Sequence, residues 1–192
     1  RYKFDELHSK KIVGAIVEGY RDYIDHRKER HENMIISSAF AWTKGNFIDS
    51  KVAEIGEELN LTYKKAKAGL TWDYLQFIHE DKKILFLIRN GAYFNPNKFS
   101  EAPIPSETKS ERRTTYLYEL SKINRNLDFP TDTQPQEDNF HHSIQLTLNF
   151  AEVKDELEQL KSEYDEFHIL TYKIDHAYQI YEIKHYLPNP EN

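Results

Sequence analysis

The 192-residue chain contains no cysteine and only one methionine. The lack of cysteine excludes disulfide bonds and cysteine-ligated zinc, and it favours a reducing compartment, so we expect a cytoplasmic protein. The longest apolar run is ILFLI at 84–88, far short of the roughly 20 residues that a membrane-spanning helix needs. We therefore expect no contact with a membrane. The chain begins RYKFDEL, without a methionine or an apolar leader, which favours a trimmed start over a signal peptide.

Several motifs of catalytic and nucleotide-binding proteins are also missing. The chain has neither a GxxxxGK[ST] nor a GxGxxG loop, so it offers no known glycine loop for a nucleotide. It has no GxSxG nucleophile motif and no HExxH, and its nine histidines do not follow zinc-ligand spacing. No complete catalytic set is present. We therefore expect no cofactor, and we favour a protein that is not an enzyme.

The charges are unevenly distributed, although the formal net charge is only −6. Residues 1–100 contain 17 Lys and Arg against 14 Asp and Glu, whereas residues 101–192 contain 9 against 18. The mildly basic half can present a patch to phosphate groups, and the acidic half would repel a polyanion.

Aromatic residues are abundant, with 13 Tyr and 11 Phe among 39% hydrophobic residues. This composition argues against disorder, and the length fits one domain over 1–192 with an ordinary core. The segments 91–111 and 126–139 are rich in proline and turn-forming residues, which predicts two long loops. Loops of this length tend to be functional or mobile.

Hydrophobic periodicity predicts an α+β fold with a mixed, largely antiparallel sheet and helices packed against it. The predicted order is αβαβββαβαββ. Its helices are an N-terminal helix within 1–32 and helices at 49–59, 112–124 and 149–164; its strands are at 34–40, 62–68, 72–79, 83–89, 142–150, 167–175 and 178–187. The apolar hairpin 72–89 is expected at the centre of the sheet. The lysine-rich strand 62–68 is expected at an edge, because lysines blunt edge pairing.

The order α-β-β-β-α-β between residues 49 and 150 resembles the core of the PD-(D/E)xK nuclease-like fold. In that family the second strand carries an Asp and the third an acid, a spacer and a Lys; the acids hold Mg²⁺ and the Lys helps position the attacking water. The resemblance implies Asp73, Glu80 and Lys82 as catalytic residues. Here Glu80 and Lys82 fall in the hairpin turn, whereas the family places its acid and Lys within the strand.

The same resemblance implies a set of metal ligands. These would be Asp73 and Glu80, with Glu54 or Glu57 of the preceding helix adding a further acid. It leaves two possibilities, a Mg²⁺-dependent nuclease and a catalytically inactive relative of the fold. Mg²⁺ is the expected cofactor only in the first case.

Two aromatic and basic segments are candidates for contact with a macromolecule. The segment FAWTKGNFID at 40–49 contains Trp42 and Lys44 beside a glycine, and YKKAKAGLTW at 63–72 contains Lys64, Lys65 and Lys67. Aromatic rings stack on bases and lysines contact phosphates. In the alternative interpretation Trp42 is a core residue and the lysines only protect a sheet edge. We therefore hypothesise a protein or nucleic-acid partner, or a homodimer paired through an edge strand.

Three longer segments carry a second resemblance. They are WTKGNFID (42–49), AGLTWDYLQFIHEDKKILFLIRNGAYF (68–94) and FHILTYKIDHAYQIYEIKHYLPNP (167–190). Together they resemble an uncharacterised domain family of phage and low-GC bacterial proteins with no assigned activity. The resemblance implies a phage or mobile-element context and supplies no mechanism.

Overall fold

A computed structural model describes residues 4–68, 72–97, 116–129 and 150–191. Its helices and strands follow the predicted class, α+β. The helices are α1 (Glu6–Asn33), α2 (Lys44–Glu54), α3 (Tyr116–Ser121) and α4 (Phe150–Glu163); the strands are β1 (Leu61–Ala68), β2 (Trp72–His79), β3 (Ile84–Asn90), β4 (Glu166–Ile174) and β5 (Ile180–Tyr186). In the described part of the chain, no helix combines the length and apolarity that crossing a bilayer requires.

The five strands form one sheet in the order β1-β2-β3-β4-β5. β3 and β4 are parallel, and every other neighbouring pair is antiparallel. β1, β3 and β4 therefore run in one direction, and their carboxyl ends share one edge of the sheet with the start of β2. The predictions that 72–89 forms a central hairpin and that 62–68 is an edge strand are confirmed.

Helices cover both faces of the sheet. α1 and α2 pack on one face, where Phe77, Phe86 and Leu170 belong to their core cluster. α3 and α4 pack on the other face with Leu85, Leu87 and Ile169. Because successive strand residues point to opposite faces, β3 supplies apolar side chains to both cores. This explains the uninterrupted run at 84–88.

The N-terminal helix begins at a capped turn and ends beyond the sheet. The Asp5 carboxylate accepts a hydrogen bond from the backbone N–H of His8 at 2.9 Å, which satisfies one free donor of the first turn. His8 stacks on His79, the last residue of β2, with ring centroids 4.9 Å apart. A 28-residue helix is about 42 Å long, whereas an eight-residue strand spans about 26 Å. The C-terminal end of α1 therefore extends past the carboxyl edge of the sheet.

α1 and α2 approach closely at Gly19. A Cβ at this position would lie 2.8 Å from Ile48 Cα and 2.8 Å from the Phe47 carbonyl oxygen. Both atoms belong to the backbone of α2 and cannot rotate away. Gly14 faces open space, so of these two glycines only Gly19 is required by packing.

The connection between β3 and β4 is anchored by a buried asparagine. Asn124 Nδ2 donates to the carbonyl oxygens of Phe167 at 2.8 Å and Pro188 at 2.9 Å, and Asn124 Oδ1 accepts from Phe167 N at 2.7 Å. One side chain thus joins the crossover to the start of β4 and to the segment after β5.

The predicted strand 34–40 is wrong. Residues 34–37 have no regular structure and Ser38–Thr43 forms a 3₁₀ helix. Met34, Ile35 and Ile36 are exposed, so this β-branched run has no sheet partner to bury it. α2 also begins at Lys44 rather than at the predicted 49.

Other predictions fall partly or wholly on residues outside the described part. Only 116–124 of the predicted helix 112–124 is described, with α3 followed by a 3₁₀ helix at Lys122–Asn126. Residues 142–149 of a predicted strand lie outside the described residues, and Phe150 starts α4. Most of both predicted loops, at 98–111 and 130–139, is likewise not described.

Candidate functional site

The structure separates the residues that the nuclease resemblance brings together. Asp73 is at the start of β2, and Glu80 and Lys82 form the 3₁₀ turn after its end. Seven extended residues span roughly 23 Å, so Asp73 cannot share one cation with the other two. Glu80 Oε1 accepts from Thr62 Oγ1 at 2.6 Å, and Lys82 Nζ lies 3.3 Å from Asp5 Oδ2. The EDK sequence is a hairpin turn with surface contacts of its own.

The helix acids do not complete that metal set either. Glu54 ends α2 and contacts Lys51 Nζ at 3.1 Å, and Glu57 is exposed on the following turn. Across the described residues, no three His, Asp or Glu side chains are grouped as a metal ion would require. The predicted ligands Asp73, Glu54 and Glu80 therefore do not converge.

The acid that α2 directs toward the start of β2 is Asp49. Its Oδ2 lies 3.4 Å from the backbone N–H of Leu75, which donates to it. Burial raises the pKa of Asp49 to about 7, and the donated hydrogen bond and the charge of Arg89 oppose that rise. In the sequence Asp49 marks only the predicted beginning of a helix, because a local pattern does not show which side chain faces a strand.

The carboxyl edge of the sheet contains several unusual polar groups. β2 pairs with β3 only at Phe77–Phe86, Ile78–Leu85 and His79–Ile84. Residues 72–76 are thus not paired with the last residues of β3, which frees Leu75 N to bind Asp49. Open sheets with parallel strands commonly bind ligands outside the carboxyl ends of those strands. We therefore take this edge as one candidate site.

Arg89, near the end of β3, is the most unusual residue at this edge. Its Nε and Nη2 atoms are shielded from solvent and have no hydrogen-bond partner. Its guanidinium carbon lies 5.3 Å from the ring centroid of Tyr74 and 5.0 Å from that of Tyr116. Burial lowers the pKa of Arg89. Two rings therefore hold a guanidinium group whose charge is poorly solvated.

Gln76 contributes a third unpaired polar atom on the same face of the sheet. The side chain is 2% exposed, and its Nε2 donates to the Tyr74 hydroxyl at 3.0 Å. Its Oε1 is buried and has no hydrogen-bond partner. Arg89 and Gln76 both contact Tyr74, so their unpaired atoms belong to one polar group of side chains.

A different surface lies where α1 ends and α2 begins, and we call it the α1–α2 corner. It consists of exposed apolar residues and neighbouring cations. Its members are Arg27, Arg30, Met34, Ile35, Ile36, Trp42 and Lys44. Ile35 is fully exposed, and Ile36 and Trp42 are 77% and 63% exposed.

Two cations of the α1–α2 corner lie on aromatic rings. Arg30 Cζ is 5.9 Å from the Phe40 ring centroid, and Lys44 Nζ is 5.7 Å from that of Tyr23. Burial and the nearby charge of Arg27 lower the pKa of Lys44. These ring contacts hold the positive groups beside the apolar side chains.

Charges along the last turns of α1 are segregated by helical spacing. The acids occupy positions 22, 25, 29 and 32 at intervals of three and four, which places them on one stripe. Arg27 and Arg30 lie on another stripe with Tyr23 and His26. On this stripe Tyr23 and His26 contact Phe47 of α2, and Arg30 contacts Phe40 of the 3₁₀ helix. The α1–α2 corner therefore presents positive charge without the acids of its own helix.

The predicted partner-binding residues are divided among separate surfaces. Trp42 and Lys44 belong to the α1–α2 corner. Lys64 faces α4, where its Nζ lies 3.5 Å from Glu163 Oε2 and 3.5 Å from the Tyr164 hydroxyl. Lys65 is exposed on the opposite face of β1 by strand alternation, and the Lys67 side chain is outside the described part. Lys64 and Lys65 therefore lie on opposite faces of β1.

A histidine cluster at the opposite edge of the sheet is structural. His168 is fully buried, and its Nε2 lies 2.8 Å from Glu166 Oε2 while its Nδ1 lies 2.8 Å from His185 Nε2. Burial lowers the pKa of His168 to about 4. The ring is therefore neutral at physiological pH, donating to Glu166 and accepting from His185.

Comparisons with models of protein families, with curated proteins and with solved structures find no match to this chain.

Proposed function

We propose that this chain is a binding module that docks an acidic protein partner through the α1–α2 corner. The observation that carries the proposal is the exposure of Ile35, Ile36 and Trp42 on one short segment. Clustered exposed apolar side chains mark interaction surfaces, and burying one such side chain contributes about 1.5–3 kcal/mol. Trp and Arg are also the residues that most often dominate interface energies.

The chemistry of the α1–α2 corner favours a protein over a nucleic acid. Met34, Ile35 and Ile36 have no ring on which a base could stack, and they need an apolar groove to cover them. The net charge of −6 opposes a polyanion. Arg27, Arg30 and Lys44 would instead face carboxylates at the rim of that groove, which would accelerate association and select the partner.

A matched pair of variants tests the proposal. Ile35→Ser with Ile36→Ser removes the apolar part of the corner, while Leu7→Ser with Val13→Ser removes exposed apolar side chains elsewhere on α1. Leu7 is about 39 Å along the α1 axis from Asn33, the last residue before this segment. The immobilised wild-type protein captures a partner from cell extract; the partner is identified by mass spectrometry, purified and titrated by interferometry.

We expect the corner variant to bind the purified partner at least about tenfold more weakly, because two buried isoleucines are lost, and the control variant to bind it as the wild type does. Arg27→Glu with Arg30→Glu should slow association most at low salt. Equal binding by the corner variant would refute the proposal. Retention of nucleic acid alone, released by added nuclease, would favour the nucleic-acid partner instead.

A second candidate function, a Mg²⁺-dependent nuclease, is favoured by the location of two acids. Asp49 of α2 and Asp73 at the start of β2 lie at the same edge of the sheet. They would hold the cation as hard oxygen ligands, and the cation would polarise the scissile phosphate. In place of an acid and a Lys, the end of β3 carries Arg89, which does not give up a proton.

Incubation with plasmid and RNA in Mg²⁺ or Mn²⁺ tests this second function. A nuclease of this kind would lose cleavage in Asp49→Asn and Asp73→Asn but retain it in Glu80→Gln, because Glu80 is at the far end of β2. Cleavage that survives Asp73→Asn would exclude the mechanism. No cleavage of either substrate with either metal would argue against an active nuclease.

A further inference from the structure

We propose that Arg89 and Gln76 form a binding site for a phosphate group that enters from the carboxyl edge of the sheet. This site is separate from the α1–α2 corner and does not depend on the function proposed for it. Three features carry the inference: an unpaired arginine, an unpaired glutamine oxygen, and strands that separate beside them.

The arginine supplies a fork of donors. Nε–H and Nη2–H project from the same edge of a guanidinium group, and this edge matches two oxygens of one phosphate. In Arg89 both atoms are buried and unpaired. Leaving charged donors unpaired in a protein interior is costly, and such groups are rare in native proteins, so each needs an explanation. A bound anion supplies one.

The side-chain amide of Gln76 restricts the chemistry of that anion. Its Nε2 is held by the Tyr74 hydroxyl at 3.0 Å, which fixes the orientation of the amide and leaves Oε1 as an unpaired acceptor. The ligand must therefore present acceptors to Arg89 and a donor to Gln76. An ionised carboxylate has only acceptors. A phosphate group that retains one P–OH carries both.

The surroundings of Arg89 favour a fixed binding geometry. Tyr74 and Tyr116 flank the guanidinium at 5.3 and 5.0 Å, so little side-chain entropy remains to be lost on binding. Asp49 does not neutralise the arginine through a direct pair. Its carboxyl accepts from Leu75 N instead, at 3.4 Å.

Access follows from the short ladder between β2 and β3. The pairing stops at Phe77–Phe86, and Arg89 is next to the last residue of β3. No backbone pairing between these strands needs to break for residues 72–76 to move apart from the end of β3. The phosphate group enters at this opening, and Gln76 marks its inner end.

Titration with inorganic phosphate tests the site, with thermal unfolding and calorimetry as readouts. Phosphate should raise the melting temperature of the wild-type protein above that in acetate of the same ionic strength, because a ligand that binds only the folded state stabilises it. Arg89→Lys keeps the charge but loses the fork, and Gln76→Leu keeps the shape but loses the acceptor. Each should weaken phosphate binding by about tenfold or more. Lys65→Ala, which removes an exposed cation on β1, should leave binding unchanged.

Three results would overturn the inference. They are no response of the wild-type protein to phosphate, an equal response to acetate, and unchanged affinity in both Arg89→Lys and Gln76→Leu. If either variant fails to fold, the wild-type comparison of phosphate with acetate still decides, supported by broadening of the phosphate ³¹P resonance. Partner capture by the α1–α2 corner is measured separately, so failure of one proposal leaves the other intact.

Discussion

Replacing Asp49 by asparagine should stabilise the protein at pH 8 and leave its stability nearly unchanged at pH 4. The carboxyl has a pKa of about 7 in the folded protein against 3.8 for an ordinary Asp. Between these values the unfolded chain has released the proton while the folded protein retains it. The free energy of unfolding of the wild type therefore falls as the pH rises from about 4 to 7, and this contribution is constant above pH 7.

The magnitude follows from the size of the pKa difference. Each pKa unit corresponds to about 1.4 kcal/mol, so a difference of about three units gives an upper limit of about 4 kcal/mol. Asparagine cannot ionise, which removes the cost of holding a buried carboxylate at high pH. The amide of asparagine can still accept the hydrogen bond from Leu75 N.

Urea denaturation at pH 4, 6 and 8, followed by tryptophan fluorescence, measures the effect. The difference between Asp49→Asn and wild type should grow with pH across this range. Asp73→Asn is the matched control, because Asp73 is an exposed acid at the same edge and its replacement should shift stability by less than about 0.5 kcal/mol. Loss of stability in Asp49→Asn at pH 8 would refute the reasoning, since it would mean that attraction to Arg89 outweighs the cost of burial.

Three further predictions concern stability and use the same urea assay. Gly19→Ala should destabilise the protein by about 1–3 kcal/mol, because its Cβ would overlap the α2 backbone. Gly14→Ala, where the Cβ would meet open space, should stabilise the protein by about 0.5–1 kcal/mol. Equal effects of the two variants would contradict the packing of α1 on α2. Asn124→Ala should cost about 3 kcal/mol by leaving Phe167 and Pro188 backbone groups unpaired, and a loss below about 1 kcal/mol would contradict the anchoring role. The pKa of His168 is about 4 against the ordinary 6.5, so the free energy of unfolding of the wild type should fall by up to about 3 kcal/mol as the pH falls from 6.5 to 4. His168→Gln should not show this loss of stability. If the dependence of stability on pH is the same in His168→Gln as in the wild type, another group causes it.

Much of the fold is predictable because local patterns determine it. The apolar spacing of α1 and the apolar content of the 72–89 hairpin depend on neighbouring residues, and both elements form close to their predicted bounds. The five-residue apolar run also places β3 correctly at the centre of a sheet covered on both faces. The strand predicted at 34–40 fails because β-branched residues favour a strand only when a sheet is available to bury them.

The candidate sites are much less predictable from sequence. Asp49 stands at the predicted start of a helix, and its burial depends on how α2 lies across β2. Arg89 looks like the charged end of an apolar strand, and its isolation depends on Tyr116, which is 27 positions away in sequence. The charges of Glu80 and Lys82 suggest a metal site, yet strand length alone separates them from Asp73. Each of these outcomes depends on tertiary contacts that no local pattern reports.

Amide hydrogen exchange on the chain with and without its captured partner tests the central claim most directly. Residues 34–43 include the exposed apolar side chains of the α1–α2 corner. Their first four, 34–37, have no regular structure and should exchange rapidly in the free protein. Binding through this corner predicts that their exchange slows in the complex while that of the exposed edge strand β1 is unchanged. Unaltered exchange at 34–43 with protection elsewhere would contradict the account.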